Sequence, residues 1–281
     1  VVKKSACPSA AALESFHTEL RIFERLNDTG LTPHVYGGFV CSHADDAARF
    51  PVPWSYLFLE RMDGNLTEWV ERTGTLPVDV VVRVFELVQR MHTHGVIHRD
   101  LHLSNVLYRH GAQADPHLFL TDFGNSYEIR RVRDSDEMVP RRNNFLFGAP
   151  EATVRDAMLY DYYTVVKSLA MMGFDVHCRH PLIDGSTHIT ERFPTRRTFD
   201  VAFVVNDQSH EERVESDSVL DAARQAFERR PSASLVVIGA KMFTEKPFVG
   251  HAIALDFDFE RAVDRSLRAL HTLRTLHADR P

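Results

Sequence analysis

Two aspartates and an asparagine carry the chemistry this sequence can do. Asp100 and Asn105 lie in His98-Arg99-Asp100-Leu101-His102-Leu103-Ser104-Asn105, and Asp122 lies in Thr121-Asp122-Phe123-Gly124. Each run follows a short apolar segment, Val96-Ile97 or Leu118-Phe119-Leu120, so each polar cluster stands at the mouth of a strand. Oxygen donors placed this way suit two tasks, holding a hard divalent cation and taking a proton from a hydroxyl. Taken singly, Asp and Asn at such places also cap turns. A third run, Ala149-Pro150-Glu151, follows a long charged loop.

The three runs, in this order, resemble the signature of the eukaryotic protein kinase family: HRDLxxxN, then DFG, then APE. One triplet alone is weak; three in register, each on the right kind of element, carry the resemblance. It implies an α+β bilobal fold, ATP and Mg2+ as cofactors, and transfer of the ATP γ-phosphoryl group to a protein hydroxyl, on serine or threonine. Such a transfer asks a protein mainly to position the reactants and to neutralise phosphate charge. On the resemblance, Asp100 accepts the proton of the substrate hydroxyl, Asn105 holds one Mg2+, and Asp122 holds Mg2+ bridging the phosphates. Arg99 and His102 complete the catalytic loop.

The resemblance extends upstream. Lys3 matches the lysine of the family's VAIK strand, which pairs with the α- and β-phosphates. Its neighbour Lys4 competes, since only one of two adjacent strand residues can face the cleft. The lysine's partner is a helical glutamate. Glu19 fits, because Phe23 four residues later then faces the core beside Phe123; Glu14 and Glu24 are the alternatives. Leu57 to Met62 resembles the hinge, with Leu59 behind the pocket and the Glu60 carbonyl and Met62 amide at the adenine edge. Leu107 is assigned to the nucleotide site on the same ground. Farther off, Glu151 pairs with Arg230 of Arg230-Pro231-Ser232, and loss of either partner would strand a buried charge. Asp161, opening a helix with Tyr162 and Tyr163, matches the aspartate that braces the catalytic loop, although N-capping would also explain it.

Three departures stand out. No GxGxxG run lies upstream of Lys3, and Gly37-Gly38 does not replace it, so the sequence as it stands predicts weak ATP binding. His102 occupies the place where serine/threonine kinases usually carry a lysine on the γ-phosphate, and histidine is a cation only when protonated. The charged loop has no threonine or tyrosine just before Ala149, leaving Ser126, Tyr127 and Ser135 as the hydroxyls of the segment. Arg99 would normally grip a phosphate there. Arg130, Arg131, Arg133, Arg141 and Arg142 make the loop basic, which suits acidic or already phosphorylated protein substrates, or a solvated loop. His92, His94, His98 and His102 do not read as a metal site, since His98 belongs to the kinase run and the first two end a helix.

Elements must hold these residues in place. Apolar residues at Leu13, Phe16, Leu20, Phe23 and Leu26 predict a helix from about Ala10 to Leu26. Val1 to Lys3, Val35 to Cys41 and Ser55 to Glu60 read as strands. Pro77 starts a helix whose stripe runs from Val80 to Met91 and stops at Gly95. Most of the rest reads as helical, near 161–172, 218–227, 233–242 and 260–276. Asp63-Gly64-Asn65 is a turn signal. The expected organisation is a front lobe over 1–62, starting at the lysine strand, a mainly helical C-lobe over 63–247, and a C-terminal helical extension over 248–281. That extension packs on the large lobe or offers a helix to a partner.

Composition bounds the rest. Of 281 residues, 44% are apolar and 26% charged, an ordinary globular balance. A net charge of −6 argues against nucleic-acid binding through overall basicity. No apolar run approaches the roughly 18 to 20 residues that span a bilayer. Three scattered cysteines without a CxxC pair suit a reducing, intracellular compartment, cytoplasmic or nuclear. An alternative of another class is a pseudokinase scaffold that keeps the fold without efficient transfer. A small-molecule kinase shares the aspartate-asparagine-aspartate logic, but Arg99 and the Glu151 to Arg230 match argue against it.

Overall fold

The computed structural model describes residues 1–41, 53–110, 115–129, 138–139, 152–172, 174–180, 197–205, 208–216, 219–233, 235–238, 241–244 and 252–278. The chain opens on β1 (Val2–Ala6), continues into α1 (Ala10–Leu26), and then forms β2 (Val35–Cys41) and β3 (Trp54–Leu59). These strands make an antiparallel sheet in the order β1-β3-β2, with Lys3 opposite Leu57 and Lys4 opposite Tyr56. The register puts Lys3, Leu57 and Gly38 on the face that meets α1. Gly38 lets the helix approach closely, since a Cβ there would stand 3.1 Å from the Phe16 ring and 2.9 Å from the Tyr56 carbonyl oxygen. Ser9 caps α1 by accepting from the Ala12 amide.

Next come β4 (Gly64–Asn65), α2 (Leu66–Thr73) and α3 (Val78–Thr93). The expected turn at Asp63-Gly64-Asn65 is also a helix start: Asn65 and Glu68 form a capping box, and Gly74 ends α2 in the left-handed region. α3 presents the anticipated stripe, with Val80, Val81, Val84, Phe85, Val88 and Met91 all buried. Gly95, at φ +74, turns the chain into β5 (Val96–Ile97). After the catalytic loop, β6 (Val106–His110) and β7 (Pro116–Leu120) form a hairpin, with β4 on the outer side of β6. β8 (Tyr127–Glu128) returns to pair with β5.

β9 (Met138–Val139) and β10 (Ala152–Thr153) pair ahead of α4 (Val154–Met171). This helix starts well before Asp161, which therefore lies in its middle and is no N-cap; Thr153 caps it by accepting from the Asp156 amide. β11 (Asp175–Cys178) follows. The expectation of a largely helical remainder then fails. β12 (Arg197–Val205), β13 (Gln208–Ser216), β14 (Leu235–Ile238) and β15 (Lys241–Thr244) form an antiparallel sheet in the order β13-β12-β14-β15. Only α5 (Val219–Arg229) matches the helices expected in this stretch. The supposed helix over 233–242 is the β14–β15 hairpin, because a short run of branched apolar residues serves a buried strand as well as a helix.

β16 (Ala252–Leu255) pairs in parallel with β11, and α6 (Phe259–Ala278) closes the chain. α6 packs on α3 and α4 rather than standing away from them. Phe259, Val263 and Leu270 are buried in the main core, and Phe259 meets Phe85 of α3 and Tyr162 of α4 at ring distances of 5.1 and 5.5 Å. The core is double. One cluster joins α1, α3, α4, α6 and the strands around the catalytic loop, while a second lies between α5 and the 197–244 sheet, centred on Val201, Phe203, Val214, Phe227 and Val236.

Candidate functional site

β5 delivers the chain to the catalytic loop, and α4 holds that loop from below. Asp161 is fully buried and accepts from the amides of His98 (2.8 Å) and Arg99 (2.8 Å), with His92 Nε2 at 2.9 Å. One carboxylate thus satisfies two backbone donors that burial would otherwise leave unpaired. Arg99 sits at φ +64, a costly conformation for a non-glycine residue. Its side chain is 2% exposed, and Nε donates to Asn125 O at 2.6 Å and Nη2 to Ser126 O at 3.2 Å. The arginine expected to grip a phosphate therefore grips the backbone just after Gly124.

Asp100, Asn105 and His102 come together as the sequence predicts. Asn105 Nδ2 donates to Asp100 O at 2.9 Å and lies 3.2 Å from His102 Nε2, which is 3.8 Å from Asp100 Oδ1. Asp100 Oδ2 accepts from Asn125 Nδ2 at 3.1 Å. Asn125 is a site residue that sequence reasoning missed, because the motif ends at Gly124 and nothing in the type or spacing of Asn125 marks it.

The second cluster joins the strand, the helix and the loop after β7. Lys3 Nζ donates to both Glu19 oxygens, at 2.8 and 3.0 Å, and to Asp122 Oδ1 at 2.9 Å. Lys4 points to the other face, over the Trp54 ring at 4.3 Å, so Lys3 is the one of the two that faces Glu19 and Asp122. Phe23 meets Phe123 edge to face at 5.2 Å, as the placement of Glu19 requires. Asp122 stands at φ +67, so the chain turns sharply to aim its carboxylate at Lys3. Burial works against the charge on Lys3, yet the two carboxylates outweigh it and hold the ammonium above its ordinary pKa. Burial also pushes Asp122 upward, but Lys3 overcomes it and the carboxyl ends below its usual range. For Glu19, burial prevails over the pull of Lys3 and the carboxyl is raised.

A cavity of about 330 Å3 opens beside this triad, lined among others by Lys3, Phe16, Glu19, Leu57, Asp122 and Gly124. Glu60, Met62 and Leu107 do not line it. Glu60 lies just past β3, where its amide donates to His34 O at 2.8 Å and its carboxylate pairs with Arg109. Leu107, on β6, is opposite Phe119. Among the described residues, no backbone hydrogen bond occupies the Glu60 carbonyl or the Met62 amide.

Two oxygens fit a divalent cation. Asn105 Nδ2 is spent on Asp100 O, and Asp122 Oδ1 on Lys3, so Asn105 Oδ1 and Asp122 Oδ2 are left without a protein donor among the described residues. A hard cation held by one or two protein oxygens and completed by phosphates and water needs no more than this. No cluster of three His, Cys, Asp or Glu residues suited to a metal occurs among the described residues, and none of their helices is long and apolar enough to cross a membrane. Glu151, the run Ala149-Pro150 and the arginines at 130, 131, 133, 141 and 142 lie outside the described residues. Arg230, the expected partner of Glu151, follows α5 and stands near Glu212, with Nη2 4.0 Å from Oε2.

Residues 3–249 match the sequence pattern of the protein kinase domain. The chain is 27% identical to CDPK-related kinase 3 of Arabidopsis thaliana over 165 residues, 57% of this chain and 25% of that protein. It is 30% identical to calcium/calmodulin-dependent protein kinase type 1 of Macrobrachium nipponense over 131 residues, 45% of this chain and 36% of that protein. It is 28% identical to Misshapen-like kinase 1 of Rattus norvegicus over 149 residues, 48% of this chain and 10% of that protein. These alignments span about a third or less of each relative. With the pattern matched from the lysine strand to beyond β15, the chain belongs to the protein kinase family.

Proposed function

We propose that this protein transfers the γ-phosphoryl group of ATP to a serine or threonine hydroxyl on a protein substrate. The observation that carries the reading is the Lys3 ammonium, bonded at once to Glu19 and Asp122. A cation held ionised at that point, with its side chain still partly exposed, can meet phosphate oxygens as they arrive. In this reading Asp100 orients the hydroxyl and takes its proton, aimed by Asn125 and by the loop that Asp161 fixes. Asn105 Oδ1 and Asp122 Oδ2 hold Mg2+, which supplies charge neutralisation on the phosphates. The Glu60 carbonyl and the Met62 amide, which no backbone partner occupies among the described residues, meet the adenine edge, and Arg99 anchors the turn after Asp122.

The test is thermal melting with and without Mg-ATP. A ligand that binds only the folded state at about 100 times its Kd adds about 2.7 kcal/mol of stability. Wild type is expected to melt several degrees higher with Mg-ATP, and Asp122→Asn to lose most of that rise. A wild-type protein indifferent to Mg-ATP would favour the scaffold reading instead.

A further inference from the structure

α1 carries Glu19, so whatever holds α1 against the catalytic loop also holds the Lys3–Glu19 pair. Beside the buried Phe23–Phe123 contact, polar bonds tie α1 to the segments around the loop. Arg21 Nε donates to Glu128 Oε2 at 2.7 Å, and Arg25 Nη1 to Glu128 Oε1 at 3.3 Å, so one carboxylate takes both arginines, one on each oxygen. Arg25 Nη2 donates to His94 O at 2.6 Å, at the end of α3. At the other end of the helix, Ser15 Oγ donates to Gly124 O at 2.8 Å.

Glu128 is itself well placed. It lies on β8, opposite Val96 of β5, and the next residue, Ile129, is buried and bonds Gly95 O through its amide. The carboxylate thus sits on the framework that carries the catalytic loop, six residues after Asp122. No serine, threonine or tyrosine occurs from residue 136 to 150. Ser126 is buried with its hydroxyl donated to His98 O, and Arg99 is bonded to the carbonyls of Asn125 and Ser126.

We propose that Glu128 is a positioning residue for phosphoryl transfer: with Arg21 and Arg25 it clamps α1 in the orientation that joins Glu19 to Lys3, without a phosphate on the loop. The proposal rests on the reading of the chain as an active kinase, but the geometry it predicts can be read without catalysis. Glu128 touches no reactant; it acts through α1.

The experiment is hydrogen exchange on the full-length protein, wild type against Glu128→Gln, at low and high salt. Each exposed ion pair contributes modestly, so the amides of 10–26 are expected to exchange about three- to tenfold faster in the variant at low salt. The amides of α3 and α4 should be unchanged, and the difference should shrink as salt rises. The triple variant Arg21→Glu and Arg25→Glu with Glu128→Arg should recover at least half of the lost protection, because it restores both ion pairs with the signs exchanged. Unchanged exchange of α1 in Glu128→Gln would overturn the clamp. So would faster exchange spread equally over α3 and α4, which marks general loosening, and so would a triple variant no better than the single one. A wild type that transfers no phosphate while α1 responds as predicted would leave the clamp standing and remove the kinase reading.

Discussion

Lys3 bonds two carboxylates that come from opposite sides of the cleft, and that single ammonium links β1, α1 and the loop after β7. The residues of this cluster could be read from the sequence because each is a charged type at a fixed distance from an apolar signal. Lys3 over Lys4 could not, since adjacent strand residues differ only by the face they take. The register against β3 decided it. The catalytic loop adds a prediction at this scale. His102 Nε2 lies 3.2 Å from Asn105 Nδ2 and 3.8 Å from Asp100 Oδ1. A neutral imidazole can accept from the asparagine, whereas a protonated one supplies the cation that a lysine would bring to the γ-phosphate. Histidine changes charge close to neutral pH, so phosphoryl transfer should rise as pH falls from about 7.5 to about 6, and His102→Lys should flatten that profile. A flat wild-type pH-rate profile would contradict this role.

At the scale of elements, helices and strands with one-sided stripes were legible and short or two-sided ones were not. α1 and β2 fall at their expected bounds, α1 because five apolar residues on one face leave a helix little choice and β2 because Val, Tyr, Phe and Val favour an extended chain. α2 escapes a reading of the sequence because eight residues make too short a stripe, and β14 because a short run of branched apolar residues has no period. α4 was expected only from Asp161 because its burial on several sides gives no clear face. Behind it sits His180, 3% exposed, with Nε2 3.0 Å from Leu159 O of α4 and its ring 4.6 Å from Phe259 of α6. Burial pushes this histidine down to about 4, with the Leu159 carbonyl opposing. The unfolded chain takes up the proton near 6.5 and the folded one near 4, so the stability held above pH 6.5 drains away as pH falls through that window. The loss is on the order of 3 kcal/mol by pH 4. His180→Gln keeps a donor without the titration, so its melting temperature should fall less between pH 7 and 5 than that of wild type. An equally steep fall in the two proteins would rule out His180 as a source.

Across the whole molecule, the kinase machinery and the 197–244 sheet are built on separate cores. The family resemblance made the site readable and the sheet unreadable, because it implies helices where this chain places a hairpin, a helix and a second hairpin. Separate cores should loosen separately. Val236 is fully buried between α5 and the sheet, and a carboxylate there has no partner. Val236→Asp should therefore strip hydrogen-exchange protection from 197–244 while leaving the Mg-ATP melting shift in place. Loss of that shift together with the sheet would mean that the two cores form one cooperative unit.

Asp100, Asn105, Asp122 and the Lys3–Glu19 pair are proposed to act together in moving a phosphoryl group. The rate at which the full-length protein transfers the γ-phosphoryl group of Mg-ATP to serine or threonine of a protein substrate, wild type against Asp100→Asn, tests this. A positioned base contributes about 100- to 10,000-fold, so the variant should lose at least about 100-fold in rate while still melting higher with Mg-ATP. Equal rates in the two proteins, or no transfer by a wild type that binds Mg-ATP, would contradict that joint role.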